Sequence, residues 1–183
     1  MKTKSAATRR NFRSAWDEIV YLYDKLLYWF YDRQDPRRAR PLAQRLERLL
    51  RKADPAHDAI LGEECWSLIY ELEGDLRNAI KHRENEIRMM KRLHAISRNT
   101  PAEGYVLQQR GYDDLSDRLD LLAILYHDYG DLDKAIRTLE ESQRLCKRHG
   151  IEFDGKDLLR DYRSEKSALR NGAQRHSQAA RVR

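Results

Sequence analysis

One short pattern occurs twice in this chain and constrains it more than any other feature. Tyr70-Glu-Leu-Glu-Gly74-Asp75-Leu76-Arg-Asn-Ala79-Ile80 recurs as Tyr126-His-Asp-Tyr-Gly130-Asp131-Leu132-Asp-Lys-Ala135-Ile136, and Glu84 and Glu140 follow the two copies at the same distance. In each copy a long segment with apolar residues at helical spacing runs into Gly-Asp, and an equally long one follows. That arrangement predicts two helices joined by a very short turn. Glycine supplies the left-handed residue that ends the first helix, and aspartate caps the second. Ala79 and Ala135 stand five residues beyond the glycine, where two helices leaving a tight turn are still close and only a methyl group fits between them. Tyr70, Gly74, Asp75 and Ala79, with Tyr126, Gly130, Asp131 and Ala135, are therefore read as turn and packing positions.

The unit resembles the tetratricopeptide repeat, in which an aromatic, a glycine, an alanine and a second aromatic recur over about 34 residues. The match runs over roughly 25 residues in each copy. The late aromatic is replaced by Arg83 in the first copy and by Leu139 in the second, and neither has the closing proline. The two glycines are 56 positions apart (130 minus 74), so the copies are not tandem 34-residue units. The resemblance implies an all-α fold of antiparallel helical hairpins and a non-enzymatic protein-interaction adaptor, without implying a regular superhelix.

The rest of the chain is read around these copies. Phe12, Trp16, Val20, Tyr23, Leu27 and Phe30 keep helical spacing from about residue 11 to 32, and Asp35-Pro36 caps a second helix carrying Ala39, Leu42, Leu46, Leu49 and Leu50. Asp35 and Ala39 fall on the aspartate and alanine positions of the repeated pattern, which makes this pair a degenerate first copy. Asp54-Pro55 gives the next start signal. The expected single all-helical domain covers about residues 11–170, with hairpins near 11–53, 54–98 and 113–150. An insertion near 99–112 holds Thr100-x-x-Glu103, a capping-box signature that predicts a short helix before Gly111. After Gly150, a helix near 156–170 bearing Leu158, Leu159, Tyr162 and Leu169 resembles the capping helix that covers the last unit of repeat proteins. Residues 1–10 are expected to be a disordered basic arm and 171–183 a disordered basic tail.

A chain of 183 residues can bury roughly two-thirds of its unfolded surface, so no metal or disulfide staple is required. Cys65 and Cys146 lie far apart inside expected helices and read as reduced core residues. No apolar run approaches the length of a membrane span, and no signal-peptide pattern follows the polar start, so a soluble, cytoplasmic protein is expected. The formal charge of +6 is concentrated at the two ends and between Arg37 and Lys52, a distribution that would accelerate association with nucleic acid or acidic proteins.

The resemblance further implies that the first helix of each hairpin lines a concave groove. The groove positions would be Glu64, Leu68 and Glu71 in the first copy, and Asp117, Asp120, Ile124, His127 and Asp128 in the second. That surface is acidic with aliphatic islands and suits a basic or amphipathic partner segment, or the chain's own last helix. Two further contacts are open: nucleic acid through the basic termini, and a second copy of the chain through Tyr21, Tyr23, Tyr28, Trp29, Phe30 and Tyr31 of the first helix.

Arg77-Asn-Ala-Ile-Lys-His82 supplies the alternative reading. It resembles the Arg-x4-His motif of small all-helical ribonucleases of the higher-eukaryote-and-prokaryote nucleotide-binding class, where histidine would act as acid or base and arginine would hold the phosphate. With arginine so abundant the pattern is weakly specific, and Arg144-x4-His149 repeats it. The chain has no His-Glu-x-x-His, no Glu-x-x-His, no Cys-x-x-Cys and no phosphate-binding loop, so no metal, cofactor or catalytic set is expected.

Overall fold

The computed structural model describes residues 12–52, 55–97 and 104–181, and among them there are seven α-helices, one π-helical turn and no strand. The helices are α1 (Ala15–Leu27), α2 (Pro36–Leu50), α3 (Pro55–Leu72), α4 (Leu76–Ser97), α5 (Gly104–Asp128), α6 (Leu132–His149) and α7 (Lys156–Arg181), with the π-helical turn Tyr28–Asp32 after α1. Sequence neighbours pack on one another along the series, most extensively α3 on α4 and α5 on α6. None of the described helices is long and apolar enough to cross a membrane.

The two Gly-Asp turns have the same hydrogen bonds. The Asp75 amide donates to the Tyr70 carbonyl and the Asp131 amide to the Tyr126 carbonyl, both at 2.8 Å, while the glycine amides donate to Glu71 and His127 at 3.0 and 2.8 Å. This pair of bonds closes a helix around a left-handed glycine, and Gly74 and Gly130 have φ of 76° and 88°. Each aspartate then caps the following helix: Asp75 accepts from the Asn78 amide at 3.2 Å and Asp131 from the Lys134 amide at 3.1 Å. Ala79 and Ala135 are fully buried. The Ser67 hydroxyl donates to the Ala79 carbonyl at 3.0 Å, which fixes how closely α3 approaches α4 there.

The first pair departs from this turn chemistry. A regular helix was expected to about residue 32, but the backbone opens into the π-helical turn at Tyr28, and Gln34, with φ of 49°, takes the left-handed place that glycine holds elsewhere. Asp35 still accepts from the Arg37 and Arg38 amides, Pro36 opens α2, and Ala39 is fully buried.

Two boundaries differ from expectation. A short helix before Gly111 was expected, yet α5 runs unbroken from Gly104 through Gly111. Likewise α7 continues to Arg181, so residues 171–181 are helical where a disordered tail was expected. The basic arm at 1–10, the cap Asp54 and the capping box at Thr100 lie outside the described residues.

The interior is divided. Leu22, Leu26, Leu46, Leu50, Cys65 and Ile69 belong to one apolar cluster built by α1, α2 and α3. Leu115, Leu119, Leu125, Leu139, Cys146 and Leu159 belong to a second, built by α4 to α7. Cys65 and Cys146 are free thiols, one in each cluster. Charged side chains are buried between the two.

Candidate functional site

The expected groove positions divide between interior and surface. Glu64 and Leu68 are 6% and 3% exposed and cannot offer themselves to a ligand, which corrects the expectation for both. Leu68 belongs to the apolar cluster that α1, α2 and α3 share, and the Tyr23 hydroxyl of α1 donates to Glu64 at 2.8 Å. Burial, then the Glu64 carboxylate, push the Tyr23 hydroxyl well above its ordinary range, so it remains a donor.

Glu64 begins a buried chain of charges that the sequence reading missed. Arg118 of α5 pairs with Glu64 at 2.7 Å and with Glu86 of α4 at 3.0 Å, and Glu86 pairs with Arg83 at 2.6 Å. Arg83 and Glu86 are each 1% exposed, and the Arg83 Nε has no partner among the described residues. The set is neutral overall, two carboxylates against two guanidinium groups. Burial raises the Glu86 carboxyl to about 7, outweighing Arg83 and Arg118, which pull the other way. Arg83 stands where the repeat pattern would place its late aromatic. That departure was the one signal in the sequence that something other than apolar packing fills the position.

The outer positions form a stripe. Asp117, Asp120, Ile124 and Asp128 follow one another on α5 at spacings of three or four, so they share a side over about 16 Å of axis. Asp117 and Asp128 are exposed, Asp120 and Ile124 half-buried, and Glu71 of α3 is half-buried near Asp128. The carboxyls of Glu71, Asp117 and Asp120 are all raised, in each case chiefly by burial. Neighbouring acids add to this: Asp128 acts on Glu71, Asp114 and Asp154 on Asp117, and Asp117 on Asp120. Asp120 reaches about 6 even though the Ser142 hydroxyl and the Gly155 amide favour its charged form. Among the described residues, no lysine or arginine nitrogen lies within 4.0 Å of any of these three carboxylates.

His127 is engaged differently. Its ring stacks on Tyr162 of α7 with centroids 4.3 Å apart, and its Nε2 lies 2.9 Å from a Glu165 oxygen. The bond to Glu165 raises the imidazole above its ordinary value. This position binds the chain's own last helix, one of the two occupants expected for the groove.

The two residues of the ribonuclease-like motif have different surroundings. His82 pairs with Glu63 of α3 at 2.7 Å and stacks on Tyr70 at 5.3 Å, while Arg77 is exposed. In the second match, His149 stacks on Tyr112 at 3.6 Å and Arg144 lines a neighbouring cleft. No group of three or more metal-ligating side chains occurs among the described residues.

No protein-family model, no curated protein and no solved structure matches the chain.

Proposed function

We propose that this chain is a non-enzymatic protein-interaction scaffold of tetratricopeptide-like hairpins capped by α7, whose α3/α5 face holds a basic, amphipathic segment of a partner protein. One observation carries the reading. Glu71, Asp117 and Asp120 are partly desolvated carboxylates without an ion-pairing cation among the described residues, along a stripe that also presents Ile124. Such groups disfavour their own charge, and a lysine or arginine arriving beside them relieves that cost. A helical segment with basic and aliphatic residues in alternate turns meets both kinds of surface. The buried charges behind the face hold α3, α4 and α5 in place and are not offered to the ligand.

The test is fluorescence anisotropy with a labelled peptide of lysine and leucine at helical spacing, titrated with the full chain. Binding should weaken at least tenfold in D117K/D128K, two exposed substitutions that leave the melting temperature near that of the parent chain. Equal affinity of the variant and the parent would overturn the proposal.

A further inference from the structure

A cleft of about 430 Å³ opens between the later turns of α4 and α6 and the earlier turns of α5, on the side of α5 turned away from the acidic stripe. Its volume falls in the range of small-molecule sites, roughly 300–1,000 Å³. Its floor is apolar, made by Leu115 and Leu119, each 2% exposed, with Leu145 beside them. One wall is Tyr112, held between His94 at 4.6 Å and His149 at 3.6 Å in a three-ring stack. Gly111 makes room for this stack: a Cβ there would lie 2.3 Å from the His94 ring, and the His94 Nε2 sits 2.9 Å from the Gly111 carbonyl.

The charges at the rim do not cancel. Lys91 and Glu141 neutralise each other across α4 and α6 at 2.6 Å. Arg144 and Arg148, one turn apart on α6, line the same cleft and are exposed, and no ion-paired carboxylate meets either among the described residues. Two guanidinium groups at this spacing can bracket one anionic group from two sides. A phosphate monoester brings a charge of about −1.5 to −2 at neutral pH, which matches the two uncompensated cations.

We propose that this cleft binds a small organic phosphate, with the phosphate between Arg144 and Arg148 and an aromatic or aliphatic body against Leu115, Leu119 and Leu145. The proposal concerns a face separate from the α3/α5 stripe and does not depend on the scaffold reading.

Isothermal titration calorimetry of the full chain with 1-naphthyl phosphate tests it, with inorganic phosphate and 1-naphthol as the two halves of the ligand. The expected result is saturable one-to-one binding of 1-naphthyl phosphate at least tenfold tighter than of either half. R144Q/R148Q should weaken it at least tenfold without lowering the melting temperature, and K147Q, on the same helix but outside the cleft, should stay within twofold of the parent. D117K/D128K should bind 1-naphthyl phosphate as the parent does, which separates this site from the acidic face. Absence of saturable binding at millimolar ligand, inorganic phosphate binding as tightly as the ester, or unchanged affinity in R144Q/R148Q would each overturn the proposal.

Discussion

The Arg118 guanidinium lies 2.7 Å from Glu64 and 3.0 Å from Glu86, so one side chain of α5 answers carboxylates on two other helices. Removing it leaves two buried acids against Arg83 alone. Arg118→Gln is expected to cost about 3–5 kcal/mol, the range for stripping one partner from a buried ionic set. Urea denaturation should show it as a lower midpoint. The double variant E64Q/R118Q restores the charge balance and should recover much of the loss; a double variant as unstable as R118Q would contradict the pairing.

Arg83 and Glu86 provide a cleaner balance test, because removing both leaves Arg118 with Glu64 and no net charge. Arg83→Met alone should cost about 3 kcal/mol, whereas R83M/E86M should come within about 1 kcal/mol of the parent chain. The coupling read from the thermodynamic cycle is the decisive quantity. Additive losses would mean the two residues do not act as a pair.

Asp120 predicts a pH effect of definite sign. Its folded carboxyl is raised to about 6, so the folded chain holds a proton that the unfolded chain has released between its ordinary carboxylate range and that value. Stability from this group therefore falls as pH rises through about 6 and is recovered on acidification. Asp120→Asn, which keeps the shape of the side chain without a charge to desolvate, should stabilise by about 1–2 kcal/mol at pH 8 and by almost nothing near pH 4. Melting curves across that range check it; an advantage of constant size would rule the explanation out.

Ala135 tests the helix contact at the second Gly-Asp turn. It is fully buried five residues beyond Gly130. Ala135→Glu should destabilise by more than about 4 kcal/mol, since it adds both volume and an unpaired charge to a closed contact. Arg137→Gln, exposed on the same helix, should shift the melting temperature little. Calorimetry of the two variants separates the site from its surroundings.

The legible part of this fold was local. Glycine, aspartate and alanine at Gly74, Asp75 and Ala79 dictate a turn within ten residues, and their copies at Gly130, Asp131 and Ala135 form the same hydrogen bonds. The buried charges were not legible, because Arg118 is matched with residues 54 and 32 positions earlier (118 minus 64 and 118 minus 86) in a chain where arginine is common. Glu64 read as a groove residue for the same reason: its helical position follows from α3, but its burial depends on Tyr23 of α1. Leu68 followed it into the interior. Asp117 and Asp128 stayed exposed and Ile124 half-buried, while α7 reaches that side of α5 at His127. The π-helical turn at Tyr28 had no sequence signal beyond the absence of glycine at Gln34.

The buried charges also impose an order on biosynthesis. A ribosome delivers Glu64, Arg83 and Glu86 before Arg118, so the first four helices emerge with two acids and a single guanidinium for the interior. Closing that half early would desolvate a carboxylate with no counterion. The nascent chain thus has a reason to leave α3 and α4 open to water until α5 has been made and brings its arginine, which makes the two halves of the molecule finish together although one is made first.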